Sequence, residues 1–109
     1  EVHRLDELRL VAIELSLEAE IALGHHELVV GELESAVEEY PYRERLWLLL
    51  VKALALDDRR VEALRACSRL RRILGDVGLE IGDEIAGLEQ QILLGHSPRP
   101  IEGHGGAQA

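Results

Sequence analysis

The sequence predicts an all-α fold, with about five helices paired as antiparallel hairpins and a disordered C-terminal tail. Three observations carry that expectation. Helix formers fill the chain, and strand-type alternation is hard to find in it. Five apolar-periodic segments follow one another with breaks too short for anything but antiparallel neighbours. Finally, Gly24 and Asp58 hold equivalent turn positions 34 residues apart, the mark of an internal repeat.

The first segment, about Leu5 to Leu23, stops at Gly24, because glycine enters the left-handed conformation that ends a helix at no steric cost. The second, His26 to Glu39, is cut by Pro41, which also restrains Tyr40 from helical backbone angles. The third, about Arg43 to Leu56, is apolar all round through Leu46-Trp47-Leu48-Leu49-Leu50-Val51, so it belongs at the centre of the core. Asp57-Asp58 end it, and one of the two is expected to cap the fourth helix, about Arg59 to Leu74. Gly75, Gly78 and Gly82 then break the chain, and a fifth helix starts near Asp83-Glu84 and runs to about Leu94. One domain over 1–94 is expected. The segment 95–109, with Pro98, Pro100, Gly103, Gly105 and Gly106, reads as a tail with little to pack.

The 34-residue spacing is the tetratricopeptide (TPR) period. In that register Trp47 falls at the fourth position of a repeat beginning at Glu44, and Ala63 at the small-residue position of its second helix. Ala36 and Pro41 land on the late alanine and terminal proline of the preceding repeat. Val29 and Gly75 depart from the pattern, standing where alanine and proline are usual. Such hairpins stack into a short right-handed superhelix whose groove holds partners.

Composition narrows the function. With 109 residues the chain supports one core without metal or disulfide. Its lone cysteine, Cys67, cannot bridge internally, which agrees with a reducing, cytoplasmic setting. No apolar run is long enough to span a bilayer. Asp and Glu outnumber Lys and Arg by 21 to 12, for a net charge of −9, opposite in sign to a nucleic-acid binder. His25-His26 are adjacent and so point about 100° apart, which is poor geometry for a shared metal. Glu38-Glu39 and Asp57-Asp58 read as turn and cap residues, and no glycine-rich phosphate loop precedes a helix. Neither an enzyme nor a cofactor is expected.

Two surfaces and one core set stand out. On a helical wheel of the fourth segment, Ala63, Ala66, Cys67, Leu70, Ile73 and Leu74 share one face. Arg65, Arg69 and Arg72 line the opposite one. That basic stripe is either a solvated face paired with Glu62 and its neighbours, or a docking surface for an acidic segment or for phosphate beside a separate DNA reader. The first helix is apolar on two sides: Leu10, Ile13, Leu17 and Ile21 form one row, and Leu8, Val11, Ala12, Leu15, Ala19 and Ala22 another. The second row, centred on Leu8, Val11 and Leu15, calls for cover from outside its own hairpin. A second copy of the chain is the readiest cover, giving a weak homodimer; another domain is the competitor. Trp47, Leu50, Ala63, Cys67 and Leu70 are the expected core, with Trp47 alternatively a partner-binding anchor and Cys67 a small hydrophobe rather than a reactive thiol.

Four stretches read together carry a family resemblance. They are Ala22-Leu23-Gly24-His25-His26, Pro41-Tyr42-Arg43-Glu44-Arg45-Leu46-Trp47, Glu62-Ala63-Leu64 with Arg69, Arg71 and Arg72 after it, and Gly78-Leu79-Glu80-Ile81-Gly82-Asp83-Glu84-Ile85 leading to Leu88-Glu89-Gln90-Gln91-Ile92-Leu93. This order resembles the bacterial transcriptional activator domain of SARP-type regulators and their mycobacterial relatives, over about Leu5 to Leu94. The chain departs from the family at Asp57-Asp58, where Ser-Gly is usual, at Cys67, often Tyr, and at Ile81, usually Pro; the Leu74–Gly78 segment is about one residue short. The resemblance implies a regulatory, protein-interaction module that supports dimerisation, docks on a winged-helix DNA reader not found in this sequence, and helps engage the transcription machinery. A free-standing TPR-like adaptor unconnected with transcription is the alternative. A small-ligand sensor using the groove is disfavoured by the scarcity of aromatics.

Overall fold

The computed structural model of the chain describes residues 2–95. It contains α1 (Val2–Ala22), α2 (His26–Glu39), α3 (Glu44–Leu56), α4 (Arg60–Asp76) and α5 (Asp83–Leu93), with no strand among the described residues. Helix α3 sits at the centre: it packs on α2 and α4 over its largest interfaces and also touches α1 and α5. Leu46, Leu50, Ala53, Ala63, Cys67 and Leu70 are fully buried around it. The tail expected at 95–109 lies, beyond Gly95, outside the described residues.

The repeat period is visible in the backbone. Gly24 and Asp58 both have positive φ, +88° and +65°, and close their helices in the same way. The His25 and Arg59 N–H groups reach back to the Glu20 and Leu54 carbonyls (3.0 and 2.8 Å), while Gly24 and Asp58 donate to Ile21 and Ala55. Gly78, at φ +79°, repeats the arrangement through Leu79 N–H to Leu74 O at 2.8 Å. Each turn thus satisfies the last carbonyls of a helix by a Schellman motif, which needs one left-handed residue.

Two local expectations are corrected by this geometry. Neither Asp57 nor Asp58 caps α4; Asp57 is the C-cap of α3, Asp58 is the left-handed residue after it, and the N-cap position of α4 is Arg59 with no side-chain cap. An aspartate tolerates the left-handed region, so the turn takes it where a glycine is easier. Gly75 does not break the chain either: α4 continues to Asp76, and Gly78 ends the run.

Candidate interaction surfaces

The stretch Pro41–Trp47 is where the domain is tied together. Trp47 is 1% exposed, and its indole N–H donates to the Pro41 carbonyl at 2.9 Å, so the buried ring keeps no unsatisfied donor. The three charged residues before it reach two other helices. Arg43 Nε and Nη2 donate to the two carboxylate oxygens of Glu14 on α1 (2.6 and 3.1 Å), and Nη1 donates to Glu7 at 2.7 Å. Arg45 donates to Glu18, one helical turn further along α1, at 2.9 Å. Glu44 turns the other way and accepts the Gly82 N–H at 2.7 Å, at the N-cap position of α5. Glycine fits there because an added Cβ would lie 3.3 Å from the Glu44 carboxylate.

Glu14 was not singled out from the sequence, yet it is the one charged residue among the buried set, at 7% exposure. Its position was informative: it lies between Leu10 and Leu17 on the face of α1 that packs inward, and a carboxylate there requires a cation. The hydrogen bonds that Arg43 donates to Glu14 and Glu7 hold its guanidinium protonated well above the usual arginine value, against the opposing effect of its partial burial.

The outward row of α1 is open. Leu8, Val11 and Leu15 are 60%, 38% and 63% exposed, and Ala12, Ala19 and Ala22 of the same row are exposed as well. Leu10, Leu17 and Ile21, on the other side of the helix, are buried.

On α4 the three arginines do not form one stripe opposite the core. Arg69 lies on the flank of the buried face: its guanidinium sits 5.0 Å from the Trp47 ring centroid and reaches Glu34 of α2 at 3.2 Å. Stacked on an aromatic and paired, Arg69 helps close the core rather than offering a free charge. Arg65 and Arg72 are exposed and make no ion pair with a described residue. Glu62, the expected partner of the stripe, instead accepts from Arg59 at 2.8 Å, which lowers its pKa.

Helix α5 is fixed at both ends. Besides the Glu44–Gly82 contact, Arg60 donates to the Ile92 and Leu93 carbonyls (2.9 and 3.2 Å) and Arg71 to Glu89 at 2.6 Å. Between α1, α3 and α5 runs an open groove of about 400 Å³ with Leu48 and Leu88 in its lining, Arg45 and Lys52 on α3 and Asp83 and Glu84 on α5. Cys67 is buried, and that burial, with Glu89 nearby, pushes its thiol up to about 11. It is a core residue, not a nucleophile. No group of three metal-binding side chains occurs among the described residues.

The model of one protein family, described as the bacterial transcriptional activator domain, matches residues 1–93. The chain belongs to that family. Members similar to it include the transcriptional regulatory protein EmbR of Mycobacterium tuberculosis, 40% identical over 90 residues that make up 82% of this chain and 23% of EmbR. The regulatory protein AfsR of Streptomyces griseus is 38% identical over 91 residues, 83% of this chain and 9% of AfsR. DnrI of Streptomyces peucetius is 34% identical over 94 residues, 85% of this chain and 35% of DnrI. A solved structure of M. tuberculosis EmbR in complex with a low-affinity phosphopeptide superposes with a TM-score of 0.85 at 36% identity, covering 97% of this chain and 27% of that one. The activator domain therefore spans about a quarter of EmbR's length, and the TPR-like helical fold is shared. Two stretches that carry the family resemblance, Pro41–Trp47 and Gly78–Ile85, meet in space at the Glu44–Gly82 hydrogen bond.

Proposed function

We propose that this chain is the regulatory, protein-interaction domain of a bacterial transcriptional activator, acting in the cytoplasm beside a DNA reader that lies outside these 109 residues. The family match over residues 1–93 carries the reading. The surface chemistry supports it: the domain is acidic, at −9, and Arg65 and Arg72 alone neutralise too few phosphates for tight duplex binding. Its role is to hold proteins rather than to catalyse. Two surfaces are the candidates: the Leu8/Val11/Leu15 row, for a neighbouring domain or a second copy, and the exposed Arg65 and Arg72 of α4, for an acidic segment of the transcription machinery. Arg69 supports the second surface only indirectly, by fixing α4 against Trp47.

A fusion to a heterologous sequence-specific DNA-binding domain tests this in bacterial cells with a reporter. Activation above that of the DNA reader alone is expected, and Arg65→Glu/Arg72→Glu should lower it with the melting temperature unchanged. Reporter output equal to the reader alone would contradict the reading. Unaltered activation by the double variant would remove the arginines from it.

A further inference from the structure

The groove between α1, α3 and α5 carries chemistry that the domain's own packing does not use. Leu48 and Leu88, both nearly buried, lie in its floor. On the α3 side Arg45 is already paired with Glu18, and Lys52 stands further along. On the α5 side Asp83 and Glu84 make no ion pair with a described residue. Gly87 follows on the same wall. Glycine is the least favourable helix residue after proline, and packing does not call for it here, since an added Cβ would meet no neighbouring atom within 4 Å. A glycine in the middle of a helix, on the wall of a groove, lets another chain lie close against it.

The end of α5 supplies a chain with the reach and the charge. Gly95 has φ +86° and donates to the Ile92 carbonyl at 2.9 Å. Gly24 and Asp58 make the same turn, and each sends the next segment back antiparallel to the helix it ends. After Gly95 come His96-Ser97-Pro98-Arg99-Pro100-Ile101. A polyproline-type segment rises about 3.1 Å per residue, against about 1.5 Å in a helix. Returning along α5, Ser97 falls level with Gln91 and Pro98 level with Leu88. Arg99 comes within about 5 Å of the level of Glu84 and Asp83, a gap that its side chain spans. The opposite flank of α5 is taken by Arg60, on the Ile92 and Leu93 carbonyls, and by the Arg71–Glu89 pair, which offer a cation no partner. Pro98 and Pro100 lack an N–H, so the segment brings few donors to walls whose helical carbonyls are already bonded.

We propose that residues 97–101 of this chain dock in the groove between α1, α3 and α5, with Arg99 at Asp83 and Glu84 and Pro98 over Leu88 beside Gly87. The sequence alone gave this segment little to pack against; the groove is that surface. Lys52, a cation at the other end of the groove, fixes the direction by disfavouring Arg99 there. While the segment is docked, the groove is closed to other peptides.

The test uses the full chain with Cys67→Ala and Gly103→Cys, a nitroxide on the new thiol, and amide relaxation read by NMR. Docking places the label near the start of α5, so relaxation enhancement should be strongest at Gly82–Gly87 and Leu48 and weaker at Leu93 and Leu94. Arg99 is outside the five helices, so Arg99→Glu should leave the melting temperature unchanged and lower that enhancement about fivefold. Gly87→Leu fills empty space, so the fold should accept it and the enhancement should vanish. Enhancement strongest at Leu93 and Leu94 and fading towards Gly82, or unchanged by Arg99→Glu, would overturn the proposal. So would equal enhancement carried from a spin-labelled chain to an isotope-labelled one in a mixture, because the groove would then hold a second copy's segment. None of these outcomes touches the transcriptional reading, which the reporter fusion tests separately.

Discussion

Arg43→Met should be the most damaging single charge removal in the domain, and its partner substitution should repair it. Arg43 makes four hydrogen bonds to α1, two to Glu7 and two to a Glu14 residue that is 7% exposed. Removing one member of a buried pair typically costs about 3–5 kcal/mol, because the other charge is left without water or partner. The ion pair with Glu7, whose side chain is 59% exposed, adds at most ~1 kcal/mol. Arg43 itself is partly open, at 23%, which favours the lower half of that range, so we expect about 3 kcal/mol. For a domain near this size that lowers the melting temperature by roughly 12–20 °C. In Arg43→Met/Glu14→Leu both charges are gone and the space is filled by alkyl groups. The double variant should return to within about 1 kcal/mol of the parent, since a buried ion pair and a packed apolar pair are often equivalent. Urea unfolding followed by the fluorescence of Trp47, the sole tryptophan, reads both values. A single variant within about 0.5 kcal/mol of the parent, or a double variant as unstable as the single, would refute the reasoning.

Trp47→Ala should cost roughly 3–5 kcal/mol, the range for buried aromatics, as measured by circular dichroism in urea; an unchanged midpoint would contradict its place in the core. Asp58→Gly should raise stability by about 1 kcal/mol, because the residue holds φ +65° and glycine adopts that angle freely; a loss of stability would show that the Asp58 side chain makes a contact of its own. Cys67 is held above its ordinary thiol pKa of 9.0, at about 11, so its neutral form supports folding fully below pH 9 and that support is lost as the pH rises towards 11. Cys67→Ala should flatten this alkaline loss in thermal melts, and an identical pH profile for the two proteins would contradict it. The isolated chain should give no gel shift with duplex DNA at ~150 mM salt, and sub-micromolar binding there would overturn the charge argument.

The helices were legible because their ends are written in few residues. Gly24, Pro41 and Gly78 each forbid or end a helix by backbone geometry alone, and the limits of α2 follow directly from the first two. Asp58 was harder, because aspartate serves equally as an N-cap and as a left-handed residue, and only the closed turn tells which. The wheel of α4 separated core from solvent correctly for Cys67 and Leu70 but placed Arg69 with Arg65 and Arg72. A wheel holds angle and not reach: an arginine beside the apolar face extends along it to the rim of Trp47. The tie made by Arg43, Glu44 and Arg45 could not be read in full, since its partners lie 27–38 residues away in the sequence. Its signal was three alternating charges leading into a helix that is buried on every side. For the α1 row, the sequence showed an apolar surplus, and the structure places Leu8, Val11 and Leu15 of that surplus at the surface.

The most direct test of an open edge on α1 is the labelling rate of single cysteines placed on its two sides. In a Cys67→Ala background and at low protein concentration, the Leu15→Cys thiol should react with a maleimide about as fast as a free model thiol, and the Leu17→Cys thiol at least ~100-fold more slowly. A Leu15→Cys thiol as protected as Leu17→Cys in the dilute free chain would contradict the account.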